Sequence, residues 1–234
     1  MDSEVNSTGI ITAAGSGLRL PGDIKKQYRN LGGIPILIRS IEPFMCSPLI
    51  SNVIVTAPED DVDYCQALIK SYFPDIDKPY LVIAGGGERQ DSVFGALQNC
   101  PGNTDFVFIH DGVRPFISQD LLEELLETAQ QEGAAIPAAA LKHTIKSIDG
   151  NYVQSTLPRN ELVQVFTPQV FAYKLIMDAY LQAYSDGFLG TDDSSLLERL
   201  GFKVPYLISS ELNLKITNDI DMFFATQLID KNMI

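Results

Sequence analysis

Phe106-Val107-Phe108-Ile109-His110-Asp111-Gly112 is the stretch on which the fold turns. Its first four residues are apolar without alternation, as a central parallel strand covered on both faces requires. The run stops at a carboxylate and a glycine. In open α/β sheets ligands sit beyond the carboxyl ends of the strands, so Asp111 becomes a candidate site residue at once.

Outward from this strand the same grammar repeats. Residues 8–14, Thr-Gly-Ile-Ile-Thr-Ala-Ala, form an apolar run that ends in a glycine turn, and an amphipathic stretch follows over about 35–45. Strand followed by helix is the first half of a βαβ unit. Further strands are expected at 52–56, 80–84, 105–110 and 134–140, separated by helical patterns near 61–71, 88–98 and 119–131. That alternation predicts an α/β fold with a mostly parallel sheet and helices on both faces. The stretch 142–165 breaks the pattern. Thr144 to Ile148 alternates, Asp149-Gly150 is a hairpin signal and Tyr152 to Thr156 alternates again, which reads as a β-arm projecting from the main sheet. Helical periodicity returns at 173–184, 192–200 and 218–230, with a strand near 203–207. With no internal repeat and no low-complexity linker, the chain reads as one domain, 1–234, carrying an arm.

Composition narrows the function. The 234 residues are enough to bury a substantial core without disulfide or metal staples. There are 17 Lys+Arg against 30 Asp+Glu, a net charge of −13, which argues against nucleic acid or an anionic membrane as partner. A polyanionic substrate therefore needs a local basic patch. The three cysteines, Cys46, Cys65 and Cys100, are too scattered for a metal knuckle and read as reduced, buried thiols. No apolar run approaches the ~20 residues of a membrane span, and Met1-Asp2-Ser3-Glu4-Val5 has no basic signal-peptide start. A soluble, cytoplasmic protein is expected.

The basic patch lies after the first strand. Ala13-Ala14-Gly15-Ser16-Gly17-Leu18-Arg19 is followed by Lys25-Lys26-Gln27-Tyr28-Arg29, so four of the 17 basic residues fall within this short segment. Glycines let backbone N–H groups approach phosphate oxygens and the cations neutralise their charge, a combination suited to a triphosphate. A P-loop is excluded because Asp23 and Ile24 stand where Lys and Ser/Thr are needed after Gly22, and a Rossmann fingerprint because Leu20 stands at its third glycine. The plainer reading, a surface turn, is weakened by the strand before and the cations after.

Three more motifs add chemistry. Gly85-Gly86-Gly87-Glu88-Arg89-Gln90-Asp91-Ser92 again joins strand, glycines and helix start. Glu88 and Asp91 there are explained by the helix dipole, whereas Arg89 and Ser92 are not. Within His110-Asp111-Gly112-Val113-Arg114-Pro115, Asp111 suits a metal ion or ribose hydroxyls, and its plainer reading is an ion pair with Arg114. His110 and His143, the two histidines, have no ligand-type neighbours in sequence and give no zinc site. Gly190-Thr191-Asp192-Asp193-Ser194-Ser195 and Thr217-Asn218-Asp219 read first as helix N-caps.

Taken in order, A-A-G-S-G-L-R at 13–19, K-K-Q-Y at 25–28, G-G-G-E-R-Q-D-S-V at 85–93, H-D-G-V-R-P at 110–115, T-I-K at 144–146, T-P-Q at 167–169, G-T-D-D-S-S at 190–195 and N-L-K-I-T at 213–217 resemble the 2-C-methyl-D-erythritol 4-phosphate cytidylyltransferases of the non-mevalonate isoprenoid pathway. The resemblance spans nearly the whole chain. It implies a Rossmann-like twisted sheet of the nucleotide-diphospho-sugar transferase type, and a nucleotidyltransferase that joins CTP to a polyol phosphate with Mg²⁺ and releases pyrophosphate. By motif, it assigns Arg19 and Lys26 to the α-phosphate and leaving pyrophosphate, and Lys215 to phosphate groups.

The same resemblance places Ala13, Ala14, Gly15, Ser16, Gly17, Gly86, Gly87, Arg89 and Ser92 around the nucleotide, with Ala14, Gly86, Gly87 and Ser92 reading cytosine. Asp111 meets ribose or the metal, the Mg²⁺ being held mainly by the CTP phosphates. Arg114, Thr144, Arg159, Thr167 and Thr191 are assigned to the polyol phosphate, with Arg114, Thr144 and Arg159 contributed by a second copy across an arm-mediated homodimer. Leu18, Leu20, Gly87, His143 and Leu212 depart from the family pattern without removing a charge that the chemistry needs. A pentitol cytidylyltransferase using ribitol or ribulose 5-phosphate shares several of these motifs, and a non-catalytic nucleotide sensor is the alternative from another class.

Overall fold

The computed structural model describes residues 5–15 and 24–233. The chain opens with β1 (Ser7–Thr12), a two-strand ribbon β2 (Asn30–Leu31) and β3 (Ile34–Pro35), α1 (Ile36–Cys46), β4 (Asn52–Ala57), α2 (Val62–Tyr72), β5 (Tyr80–Ala84) and α3 (Arg89–Gln98). It continues through β6 (Phe106–Asp111), α4 (Gln119–Glu132), β7 (Ala134–Ala140), the arm strands β8 (Lys146–Asp149) and β9 (Tyr152–Thr156), and β10 (Val163–Val165). The last third holds β11 (Gln169–Ala172), α5 (Tyr173–Ser185), α6 (Ser194–Arg199), β12 (Tyr206–Ile208) and α7 (Asp219–Asp230).

Eight strands make one sheet in the order β10-β7-β11-β6-β1-β4-β5, with β12 alongside β7. The block β6-β1-β4-β5 is parallel throughout. Alternate residues of its strands feed two separate cores, as the pleat demands. Ile11, Val55 and Phe108 face α1, α2 and α4 in one cluster, and Ile10, Ile54 and Ile109 face α3, α5 and α6 in the other. Both faces are covered, so the absence of alternation in the β6 sequence has its cause.

Two features differ from the expected pattern. The first is β11, which inserts antiparallel between β6 and β7. Its four residues are too short and too uniformly buried to carry a strand period of their own. The second is the extent of the arm. Only 146–156 forms the free hairpin, while Val163–Val165 returns to the main sheet antiparallel to β7. The strand expected near 203–207 falls slightly later, at Tyr206–Ile208, parallel to β7.

The registers align the strand ends that matter. Thr12 lies opposite both Thr56 and Asp111, so β1, β4 and β6 finish at one level. Beyond them the chain turns sharply: Gly112 N–H donates to Thr12 O at 2.9 Å, and a Cβ on Gly112 would sit 3.0 Å from that oxygen. The edge thus becomes a floor for whatever lies past the strands.

Candidate active site

A cavity of about 610 Å³ opens at this edge, walled by residues 12–15, by Lys26 and Gln27, by the 86–89 turn with Ser92, and by Asp111, Val113 and Lys215. The sequence-derived motifs at 13–19, 25–28, 85–93, 110–115 and 213–217 therefore meet in one place, as far as they are described. Ser16, Gly17 and Arg19 lie outside the described residues.

The glycine turn is built by close approach. A Cβ on Gly85 would lie 2.2 Å from the Ala14 Cβ, and one on Gly86 2.2 Å from the Asp91 Cβ, so neither position tolerates a side chain without movement. Ser92 Oγ accepts from Gly86 N at 3.1 Å and donates to Glu88 O at 3.2 Å, which shapes the turn from inside. Asp91 Oδ2 accepts from Glu88 N at 3.0 Å and closes a capping box at the start of α3, where the sequence reading gave Glu88 and Asp91 a helix-dipole role. On the opposite wall, Gln27 Nε2 donates to Ala13 O at 3.0 Å, tying the basic segment to the end of β1.

Asp111 is the centre of charge. Its Oδ1 accepts from Arg89 Nε at 3.3 Å, and its Oδ2 from Arg114 Nε at 3.1 Å and Lys215 Nζ at 2.9 Å. Burial pushes this carboxyl upward, but Arg89, Lys215 and Arg114 outweigh burial and hold it well below the ordinary carboxylate range. The carboxylate is ionised at neutral pH. Behind it, burial pushes the His110 ring down to about 4, so the imidazole is neutral. Asp111 N donates to Thr167 Oγ1 at 3.1 Å, which leaves the hydroxyl proton for His110 Nδ1 at 2.9 Å. His110 then carries its proton on Nε2 and donates to Arg114 O at 3.0 Å.

The other expected site residues divide sharply. Thr167 is 6% exposed, and its hydroxyl bonds Asp111 N and His110 Nδ1 beneath the floor. Arg114 is likewise turned inward, with Nε on Asp111 and Nη1 donating to Asn213 O at 2.9 Å, and it is 8% exposed. Within the chain Arg114 thus makes the internal ion pair with Asp111 that is its plainer reading. Thr191, Thr144 and Arg159 are all exposed, and Arg159 Nη1 donates to Lys142 O at 3.0 Å at the base of the arm. Lys25, beside Lys26, pairs with Asp61 at 2.7 Å instead of facing the cavity.

Sequence reading missed Asp193. It is fully buried and accepts two bonds from Arg89, at 3.0 and 2.7 Å, and a third from Tyr180 OH at 2.5 Å. The D-D pair before an apolar helix was the available signal. The capping role belongs to Asp192, whose Oδ1 accepts from Ser195 N at 3.0 Å, and this frees Asp193 for the ion pair.

Comparison with known proteins matches this arrangement to one family. The family model described as 2-C-methyl-D-erythritol 4-phosphate cytidylyltransferase matches residues 8–231. A protein of that name from Geobacter metallireducens is 38% identical over 227 residues, covering 96% of this chain and 97% of the relative. One from Geotalea uraniireducens is 40% identical over 220 residues, covering 93% and 94%. Among solved structures, the 4-diphosphocytidyl-2C-methyl-D-erythritol synthase of Anaerococcus prevotii superposes with a TM-score of 0.86 at 32% identity, over 97% of each chain. The chain belongs to the 2-C-methyl-D-erythritol 4-phosphate cytidylyltransferase family.

Proposed function

We propose that the chain joins CTP to 2-C-methyl-D-erythritol 4-phosphate, giving 4-diphosphocytidyl-2-C-methyl-D-erythritol and pyrophosphate for isoprenoid precursor synthesis. The observation that carries this reading is the strand-end cavity, where Lys26, Arg89 and Lys215 gather around glycine backbone in a chain of net charge −13. In the transfer, an oxygen of the acceptor phosphate forms a bond to the α-phosphorus of CTP while the α–β bridging bond breaks and pyrophosphate leaves. No covalent protein nucleophile is needed; position and charge do the work. Lys26, with Arg19 before it in the sequence, binds the charge that grows on the α-phosphate and the leaving group, and Lys215 holds the phosphates from the Asp111 side. The main chain at Ala14, Gly86 and Gly87 meets the base, and Ser92 Oγ, accepting from Gly86 N, fixes the turn that carries this main chain.

Mg²⁺ enters this reading as an ion carried by the triphosphate. Both oxygens of Asp111 already accept from cations, and among the described residues no cluster of three or more His, Cys, Asp or Glu could hold a metal. That donor set would fit an ion whose ligands are mostly phosphate oxygens, with Asp111 as the residue that would help to hold it. When bound, the ion neutralises phosphate charge during the transfer.

The acceptor end is read as shared between two copies. Thr191 comes from the 186–193 loop of one chain, and Thr144 and Arg159 from the arm of the other. The arm's exposed Ile148, Tyr152 and Val153 support a partner surface. Among the described residues no helix is long and apolar enough to cross a membrane, and the reading places the enzyme in the cytoplasm.

Pyrophosphate release from CTP paired with each candidate polyol phosphate tests the whole reading. Fast release with methylerythritol phosphate is the expected result. A higher rate with ribitol or ribulose 5-phosphate would reassign the acceptor, and no release with any of them would favour a nucleotide sensor.

A further inference from the structure

We propose that Asp193 is a positioning residue for the transfer, acting through Arg89 on the Asp111 carboxylate; this rests on the cytidylyl-transfer reading above. Asp193 does not line the cavity. Its two oxygens instead grip Arg89 Nη1 and Nη2 at 3.0 and 2.7 Å, and a bidentate carboxylate fixes the plane of a guanidinium as no single bond does. With both Nη atoms held, Nε is aimed at Asp111 Oδ1 at 3.3 Å. Tyr180 OH, donating to Asp193 Oδ1 at 2.5 Å, holds the carboxylate in turn. The chain of contacts runs from a buried tyrosine to the Asp111 carboxylate, which meets Lys215 and lines the cavity.

Holding the 186–193 loop in place is the competing explanation, and the loop has other fasteners. Gln90 Nε2 donates to Phe188 O at 3.0 Å while its Oε1 accepts from Gly190 N at 2.8 Å. Gln169 Nε2 donates to Asp192 Oδ2 at 2.7 Å while its Oε1 accepts from Ser194 N at 3.0 Å. Two buried glutamines, each using donor and acceptor, pin the segment at Phe188, Gly190, Asp192 and Ser194 without calling on Asp193. A buried ion pair is also a poor way to add stability, since the cost of desolvating two charges cancels most of their attraction. What it adds here is direction. Without Asp193, Arg89 is free to turn, and Asp111 loses the partner on Oδ1 that balances Arg114 and Lys215 on Oδ2.

The test uses the full chain and measures kcat, both KM values, thermal midpoint and the side-chain ¹⁵N signals of Arg89. Asp193→Asn keeps the shape and removes the charge. We expect kcat to fall tenfold or more, since misplacement by about 1 Å can cost ~10²-fold, with KM for CTP changed far less. Arg89→Met should lower kcat similarly, and the double variant should be no slower than the slower single one, because both act on one contact chain. The Arg89 Nη signals should be distinct in the wild type and merge in Asp193→Asn as rotation is released. Asp186→Asn, which breaks only the exposed pair with Arg199 on the same loop, should keep wild-type kcat.

Unchanged kcat in Asp193→Asn, a lowered thermal midpoint alone, or additive losses in the double variant would overturn the proposal. If Asp193→Asn does not fold, Tyr180→Phe decides instead: a severalfold loss of kcat is expected, and wild-type kcat with unchanged Arg89 signals overturns it. A wild type that turns over no polyol phosphate would count against the transfer reading, and the Arg89 signals would still decide the geometry.

Discussion

At the strand ends, the side chains around Asp111 find their partners inside the chain, whereas the arm of β8 and β9 presents Tyr152, Ile148 and Val153 outward at 82, 69 and 64% exposure. The pocket is assembled by contacts between distant segments: Arg89 reaches Asp193 across 104 residues and Arg114 reaches Asn213 across 99. The arm is held by contacts between neighbours, with Ser147 facing Ser155 and Lys146 facing Thr156. A site made of long-range ion pairs depends on the whole core being folded. A two-stranded hairpin has little independent stability and finds its rigidity on another surface.

The contrast breaks first at Asp111. Asp111→Ala leaves the buried Arg114 guanidinium with Asn213 O and the Phe166 ring but without its carboxylate, and losing one partner of a buried ion pair costs about 3–5 kcal/mol, so urea unfolding should show a loss of that size. A loss as small as that of a surface substitution would mean the cation ring does not depend on its carboxylate.

Acid tests the layer beneath. Burial holds the folded His110 pKa near 4, against an ordinary 6.5. As pH falls through that window the unfolded chain binds a proton that the folded chain refuses, so stability drops by on the order of 3 kcal/mol by pH 4. Asp111, held low by its three cations, stays charged in both states across most of this range, and its contribution is lost only below about pH 4. His110→Gln should flatten stability between pH 6.5 and 4, and an unchanged slope would reject the neutral buried imidazole.

Two adjacent lysines sharpen the comparison within the pocket itself. Lys26→Ala should lower kcat on the order of 10²-fold, as expected for a charge aimed at the transition state, with much less change in CTP affinity. Lys25→Ala should stay close to wild type, because its partner is Asp61. Equal losses at both positions would remove the distinction.

The arm should give the smallest effect on stability and a clear one on assembly. Tyr152→Ser should change the unfolding free energy of the isolated chain by no more than about 0.5 kcal/mol, as for other exposed positions. If the arm pairs two copies as proposed, the same change should weaken that association, measured by analytical ultracentrifugation. Mixed dimers of Lys26→Ala and Arg159→Ala chains, with exchange shown by differently tagged copies, should regain activity that neither parent has. No recovery in proven mixed dimers would return Arg159 to a local role at Lys142.

Most of the layered architecture was legible in the sequence because its signals are local. The uniform apolar run of β6, the glycine turn at 85–87, the Asp149-Gly150 hairpin and the Asn218 cap each lie within a few residues. Asn218 Oδ1 indeed accepts from Ile220 N and Asp221 N, at 2.9 and 3.0 Å. The insertion of β11 was not legible. Val170 and Phe171 are buried whichever neighbour they pair with, so their apolar character says nothing about strand direction.

What the sequence alone determined is which residues stand at the carboxyl ends of the strands, since period and turn chemistry set the strand limits. It placed Asp111 at the end of β6, the glycines after β1 and β5, and Arg89 at the start of α3. The tertiary structure decided which charges these residues meet. Thr167 and Arg114 turn inward and Lys25 turns to Asp61, while Asp193 becomes the partner of Arg89. A buried ion pair is selected by desolvation and by the geometry of two segments packed from opposite ends of the chain, and neither leaves a periodic trace in the residues between them.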